Sequence, residues 1–379
     1  MVSVMPLARP RRARIAFLLL VPALIAWMVT AACGGGGSDG VGADASADGR
    51  PDTSFDAGYL PPEEDATPRD ATSGKDAALP PPYCPAPVAC ADAGTSPAEL
   101  AHLAGAQIEG IAADGCDVYW GEQGGNIRRV SRCGGTVTTI ATAQPYAVTG
   151  VTLDAYSVYW TAGGVVRSAR KDDPGGVVVT LASATNPSAI AVDDAFVYWT
   201  EEPTSAGRVW RAPLAGGGAR SEVAVIGYGS PFGMALDTDR VFFEHDGQIA
   251  SAPKDGGASA DLAPTGGLVG TDIACIAVDD ANVYYTLYES GAVMRVPKTG
   301  GDGGVFAPAS RPRCLAIDDA SVYWVNDAQD GGGLMRAAKD GGSPTAITTS
   351  PGNDSYAFVA LDESYAYWGY AGRILRAPK

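Results

Sequence analysis

Seven copies of one aromatic phrase, a second glycine-ended phrase behind each, and a lone strand-like segment ahead of the first copy predict an all-β fold. The fold is a seven-bladed β-propeller of four-stranded antiparallel blades, closed by an N-terminal strand in the last blade. The clearest copy of the first phrase spans residues 190–200, Ile-Ala-Val-Asp-Asp-Ala-Phe-Val-Tyr-Trp-Thr, and it recurs at 276–286 and 315–325. Looser copies lie at 111–121, 151–161, 234–244 and 359–369. The first aspartate of each falls at Asp114, Asp154, Asp193, Asp237, Asp279, Asp318 and Asp362, with gaps of 40, 39, 44, 42, 39 and 44. Four short strands per roughly 40–45 residues is the propeller period. Period-2 patterning and frequent glycine exclude helical repeats.

Within a unit, strand a is the apolar run that ends in Asp-Asp, and those aspartates form a tight turn. Strand b is the Val-Tyr-Trp stretch, rich in β-branched and aromatic residues. Strand c is the Val-x-Arg stretch of the second phrase, clearest at 291–301. A Gly-Gly turn, where glycine supplies positive φ at little steric cost, leads into strand d. The last unit stops at Lys379 after strand c, whereas residues 98–104 read as a strand d without a unit. Joining the two ends removes the free edges of the sheet array.

Adjacent strand residues point to opposite faces. The pairs Tyr119-Trp120, Tyr159-Trp160, Tyr198-Trp199, Phe242-Phe243, Tyr284-Tyr285, Tyr323-Trp324 and Tyr367-Trp368 therefore read as packing between blades. Six units carry an arginine in strand c, namely Arg129, Arg167, Arg211, Arg295, Arg336 and Arg376, with Ser251 in the fourth. Each is expected to stack on an aromatic ring or pair with an aspartate of the a–b turn.

Ahead of the repeats stand an address and a tether. Arg9, Arg11, Arg12 and Arg14 precede a 16-residue apolar run over 15–30, too short for a spanning helix and suited to a secretory signal. Thr30-Ala31-Ala32-Cys33 resembles a bacterial lipobox, which makes residues 1–32 the signal peptide and Cys33 the lipidated residue. Thr30 stands where such a motif usually has Leu. Gly34 does not resemble the inner-membrane retention signal, so the expected location is the cell envelope, lipid-anchored at the outer membrane. Residues 33–84 form an acidic tether with little to bury; residues 34–80 hold 10 acidic and 3 basic side chains. The propeller is assigned to residues 85–379. A formal net charge of −16 argues against a nucleic-acid partner.

The Tyr-Trp-Thr phrase with Glu201 next, and the later arginine before a glycine turn, resemble the YWTD repeat of low-density-lipoprotein-receptor-type propellers. Those receptors usually have six blades, and their acid is matched here only by Glu122 and Glu201. The resemblance implies an extracytoplasmic binding propeller. The chain also resembles NHL-type and streptogramin-lyase-like propellers, whose lyase members use a histidine near the channel. Only His102 and His245 are present to fill that role.

Six cysteines remain after Cys33, an even number in an oxidising compartment. Cys116 precedes strand b and Cys133 ends strand c, so these two are expected to pair across a hairpin. Cys275 and Cys314 occupy equivalent positions on adjacent inner strands and are expected to pair, which leaves Cys84 with Cys90.

Strand alternation puts a–b and c–d turns on one face and b–c and d–a loops on the other. The first face is monotonous and the second varies. Binding residues collect on loops of a rigid scaffold, and aromatic and arginine side chains are the usual anchors. Tyr146, Tyr228, Phe232, Arg311, Arg313, Asp354 and Tyr356 are the expected ligand-binding group. No catalytic constellation can be assembled, so the chain is expected to be a monomeric, non-enzymatic module that binds a protein or glycan. A lyase or hydrolase with a site at the channel mouth is the alternative. No cofactor is expected, and a channel Ca²⁺ or Mg²⁺ is left open.

Overall fold

The computed structural model describes residues 83–90, 97–142, 146–202, 206–227, 233–245, 247–262, 273–327, 332–349, 358–370 and 372–379. The signal segment, Cys33 and the tether up to residue 82 lie outside the described residues. The described chain forms seven four-stranded antiparallel sheets. Their inner strands a are Ile108–Ala113, Val148–Leu153, Pro187–Val192, Met234–Leu236, Ile273–Val278, Pro312–Ile317 and Val359–Leu361. The strands b beside them are Asp117–Glu122, Ser157–Ala162, Phe196–Glu201, Arg240–His245, Asn282–Leu287, Ser321–Asn326 and Tyr365–Tyr370. Each strand a packs against the strand a of the blades before and after it, and the last meets the first. The array is a closed ring.

Closure runs through the N-terminal strand Ala98–His102. It lies antiparallel to the last strand c, Arg373–Pro378, with Ala98 opposite Arg376 and His102 opposite Arg373. The sequence expectation of seven blades latched by this segment is met.

Seven hydrophobic clusters fill the seven gaps between blades, and each joins the tyrosine position of one blade to the tryptophan position of the next. Tyr119 packs with Trp160, Tyr159 with Trp199 and Tyr198 with Phe243. Phe242 joins Tyr285, Tyr284 joins Trp324 and Tyr323 joins Trp368. The closing gap holds Tyr367, Trp120, Leu100 and Ala101. The two adjacent aromatics of each strand b thus serve the two gaps on either side of its sheet.

The aspartate turns explain the second recurring signal. One carboxylate oxygen of each repeat aspartate accepts the backbone N–H groups two and three residues on, as Asp279 Oδ1 does from Ala281 (2.9 Å) and Asn282 (2.7 Å). The other oxygen takes a cation from the next blade. Lys171 reaches Asp114 at 2.8 Å, Lys254 reaches Asp193 at 2.9 Å and Lys298 reaches Asp237 at 2.5 Å. Lys339 reaches Asp279 at 2.9 Å, Lys379 reaches Asp318 at 2.9 Å and, across the closure, Arg132 reaches Asp362 at 3.3 Å. Blade 3 carries Leu214 in this place. Of the two kinds of partner expected for the strand c arginines, four take the aromatic ring: Arg129 on Tyr83, Arg211 on Phe196, Arg295 on Phe306 and Arg376 on Tyr365, at 4.4–5.5 Å from the centroids.

The cysteine pairing differs in two of three bonds. Cys275–Cys314 forms as expected, with Cα atoms 4.9 Å apart on adjacent inner strands. Cys84 bonds Cys116 and Cys90 bonds Cys133, so neither the Cys116–Cys133 nor the Cys84–Cys90 pair exists. The reason lies in the path of residues 83–90. Tyr83 N–H donates to Ala155 O (3.2 Å), Tyr83 Oη to Asp117 (2.8 Å) and Val88 N–H to Gly115 O (2.8 Å). An extended, proline-containing strap is thereby laid over the aspartate-turn face, where each of its cysteines meets one from blade 1. Gly115 admits it, since a Cβ there would stand 3.1 Å from Pro87 Cα.

Candidate functional site

The two faces of the ring differ in what their side chains have left to offer. On the aspartate-turn face the carboxylates cap their own turns, and all but Asp154 also hold a neighbouring blade. Asp193, Asp237, Asp279 and Asp318 are held below the usual carboxylate range. Burial pushes each upward, and a lysine ammonium together with two turn N–H groups outweighs it. Under the strap lies a cavity of about 390 Å³ bordered by Pro85, Pro87, Asp114, Asp154, Lys171 and Glu363. Its Cys84, Asp114 and Cys116 have ligand atoms within 4.8 Å of one another. Both sulfurs are bonded to each other, so the three do not form a metal-ligand set.

The variable face is built from strand a starts and b–c loops. The second residues of five inner strands fall at one level of the ring: Glu109, Thr149, Ser188, Ala274 and Arg313. Burial holds the half-buried Glu109 carboxyl above its ordinary range. Thr149 Oγ1 donates to Pro187 O (2.7 Å) and Thr286 Oγ1 to Arg313 O (2.7 Å). These hydroxyls join blade 2 to blade 3 and blade 5 to blade 6 just below the mouth. One level deeper the residues are small. A Cβ on Gly150 would lie 2.8 Å from Ser188 O, and Cys275 and Cys314 are joined at this level.

Between blades 5 and 6 four polar side chains meet on this face. Arg313 sits over the Tyr288 ring at 4.1 Å, and Arg311 over the same ring at 5.8 Å. Arg313 Nη2 donates to Tyr288 Oη (3.0 Å) and pairs with Asp327 Oδ2 (3.2 Å). The Tyr288 hydroxyl donates to the same carboxylate. Asp327 is 3% exposed, and its backbone N–H donates to Arg311 O (3.0 Å). Two of the expected binding residues, Arg311 and Arg313, are therefore brought together. Tyr146, 63% exposed, lies beside blade 2, where its ring occupies the space a Gly163 Cβ would need. Tyr228, Phe232, Asp354 and Tyr356 lie outside the described residues, as does the side chain of His245. Tyr288 and Asp327 were not singled out from sequence. Their signal is the unlike residue that follows strand b from blade to blade.

The acid of the YWTD-like phrase has a structural role here. Trp120 Nε1 donates to Glu122 (3.2 Å), Trp199 Nε1 to Glu201 (3.0 Å) and Trp324 Nε1 to Asn326 (3.0 Å). Blade 2 has Ala162 at that place, and Trp160 Nε1 has no partner among the described residues.

Solved β-propellers share this architecture. A streptogramin B lyase superposes with a TM-score of 0.62 at 13% identity, covering 74% of this chain and 96% of its own. A catalytically inactive virginiamycin B lyase from Staphylococcus aureus, with quinupristin, gives 0.61 at 15%, covering 75% and 99%. YCF48 bound to D1 peptide gives 0.57 at 12%, covering 75% and 95%. At these identities the likeness is one of fold. No family model matches the chain, and no curated protein matches it.

Proposed function

We propose that the chain is a lipid-anchored propeller of the cell envelope, held at the outer membrane through Cys33, that binds a protein or glycan partner through its variable-loop face. The observation that carries the reading is the contrast between faces. On one, the repeat aspartates and the strap cysteines are engaged in holding the ring together. On the other, Tyr146 stands exposed and Arg311, Arg313, Tyr288 and Asp327 gather at one blade junction. A rigid ring that presents unlike loops on one side is the architecture of a binding module. The alternative is a lyase or hydrolase working at the channel mouth, which would need an acid or base held within reach of its partner.

The test is capture from the parent envelope with the full chain extracted in mild detergent. Replacing Tyr146 by alanine together with Arg311 by asparagine is expected to cut recovery of a specific partner at least tenfold, with the melting temperature kept. Replacing Asp255 and Asp172, exposed on the opposite side, is expected to leave it unchanged. The reverse pattern would overturn the choice of face. Palmitate labelling of the unaltered chain against Cys33→Ala tests the anchor, and equal labelling contradicts it.

A further inference from the structure

A sheet edge presents a row of unpaired backbone N–H and C=O groups, and soluble proteins guard such edges with charge, proline, short length or a covering turn. The outermost strand d of each blade is such an edge, and six of the seven are guarded. In blade 1, Thr138–Ala141 is four residues long, and Gly175 N–H of the next blade donates to Ile140 O (3.0 Å). Blade 3 carries Glu222 on Ser221–Ile226, paired with Arg208 at 2.8 Å. Blades 4 and 6 have two-residue strands, Ala260–Asp261 and Thr345–Ala346. The blade 5 strand, Gly304–Pro308, ends on a proline. Blade 7 carries Glu99, paired with Arg373 at 3.2 Å.

Blade 2 is the exception. Its strand d, Val178–Ser183, is six residues long and holds no charge and no proline. Val177, just ahead of it, is 75% exposed and Val179 is 42% exposed. Strand c lies along one side, and no strand pairs with the other among the described residues. Its far end is held by blade 3, where Arg220 Nη1 donates to Ser183 O (3.1 Å). An open backbone edge lined with valines is recognised by another extended backbone whose side chains are aliphatic. We propose that the outer edge of blade 2 docks an extended aliphatic segment of a partner protein, which adds to the four-stranded sheet as one more strand. A second copy of this chain fits the edge less well. Each copy carries a formal net charge of −16, so two copies repel. A six-residue strand also spans roughly 20 Å, which suits a peptide and falls short of the about 800 Å² per partner that a stable protein interface buries. The edge stands on the rim of the ring, so the inference goes beyond the variable-face reading and does not rest on it.

The probe is the labelled peptide Lys-Val-Thr-Val-Thr-Val-Lys, titrated against the full chain by fluorescence anisotropy. The same peptide N-methylated at every amide serves as control, because it keeps the side chains and loses the backbone donors. The expected result is saturable binding by the parent. Affinity is expected to fall at least tenfold with the N-methylated peptide, and at least tenfold for the chain carrying Val177→Lys with Val179→Lys. Val305→Lys places the same charge on the guarded edge of blade 5, at a side chain 60% exposed, and is expected to stay within twofold of the parent. Val177→Lys alone changes a side chain that is mostly in solvent, so it keeps the fold if the double variant does not, and is expected to weaken binding at least threefold. No saturable binding by the parent, equal binding of the N-methylated peptide, or an unchanged affinity for Val177→Lys would overturn the inference. So would a loss at Val305→Lys as large as that at blade 2. Sedimentation of the parent as a dimer that Val177→Lys dissociates would give the edge to a second copy and overturn it as well.

Discussion

Replacing Lys171 with methionine is expected to destabilise the fold by about 3–5 kcal/mol, the range for breaking a buried ion pair from one side. Lys171 is 1% exposed. Its ammonium donates to Asp114 Oδ2 (2.8 Å) and to Asp154 O (2.5 Å), and lies 5.3 Å from the Tyr119 ring centroid. Methionine matches the apolar stem but strands a carboxylate and a carbonyl beneath the strap. The same change at Lys339, whose pair with Asp279 joins side chains 15% and 22% exposed, is expected to cost no more than about 1 kcal/mol. Adding Asp114→Asn to Lys171→Met is expected to restore part of the loss. Urea unfolding of the four chains measures this, and equal losses at Lys171 and Lys339 would contradict a buried latch at blade 2.

Trp120→Ala is expected to cost about 3–5 kcal/mol, the range for deleting a large core aromatic. Trp120 is fully buried in the closing gap with Tyr367, Ile374, Leu100 and Ala101, and its indole N–H is satisfied by Glu122. Trp199→Ala removes the same side chain from a gap inside the continuous chain and is expected to cost a similar amount. The two should differ in kind. Only the closing gap contains the N-terminal strand, so Trp120→Ala is expected to expose residues 97–107 to limited proteolysis while Trp199→Ala leaves them protected. Equal protection in both would mean that the strand does not depend on this cluster.

The sequence carried the ring far better than the site. Blade boundaries, aromatic pairs and closure follow from local periodicity, because each unit repeats the same packing problem. The Cys275–Cys314 bond was legible for the same reason, since equivalent residues on neighbouring blades meet. The lysine latches were not read from the sequence, because their partners lie in the preceding blade, 57 residues away for Lys171 and 61 for Lys254. No local spacing announces such a pair. The strap cysteines were misread because their pairing depends on where an irregular, proline-containing segment runs, not on a repeat. On the variable-loop face, sequence pointed to Arg311 and Arg313 by residue type but not to the contacts each makes. Arg313 neutralises a buried aspartate, while Arg311 sits over the Tyr288 ring.

The path of residues 83–90 decides which face carries the strap, so the disulfide map is the most direct test. Proteolysis of the unreduced full chain followed by mass spectrometry is expected to recover Cys84 linked to Cys116, Cys90 linked to Cys133 and Cys275 linked to Cys314. Recovery of Cys84 linked to Cys90, or of Cys116 linked to Cys133, would contradict a strap fastened across the aspartate-turn face.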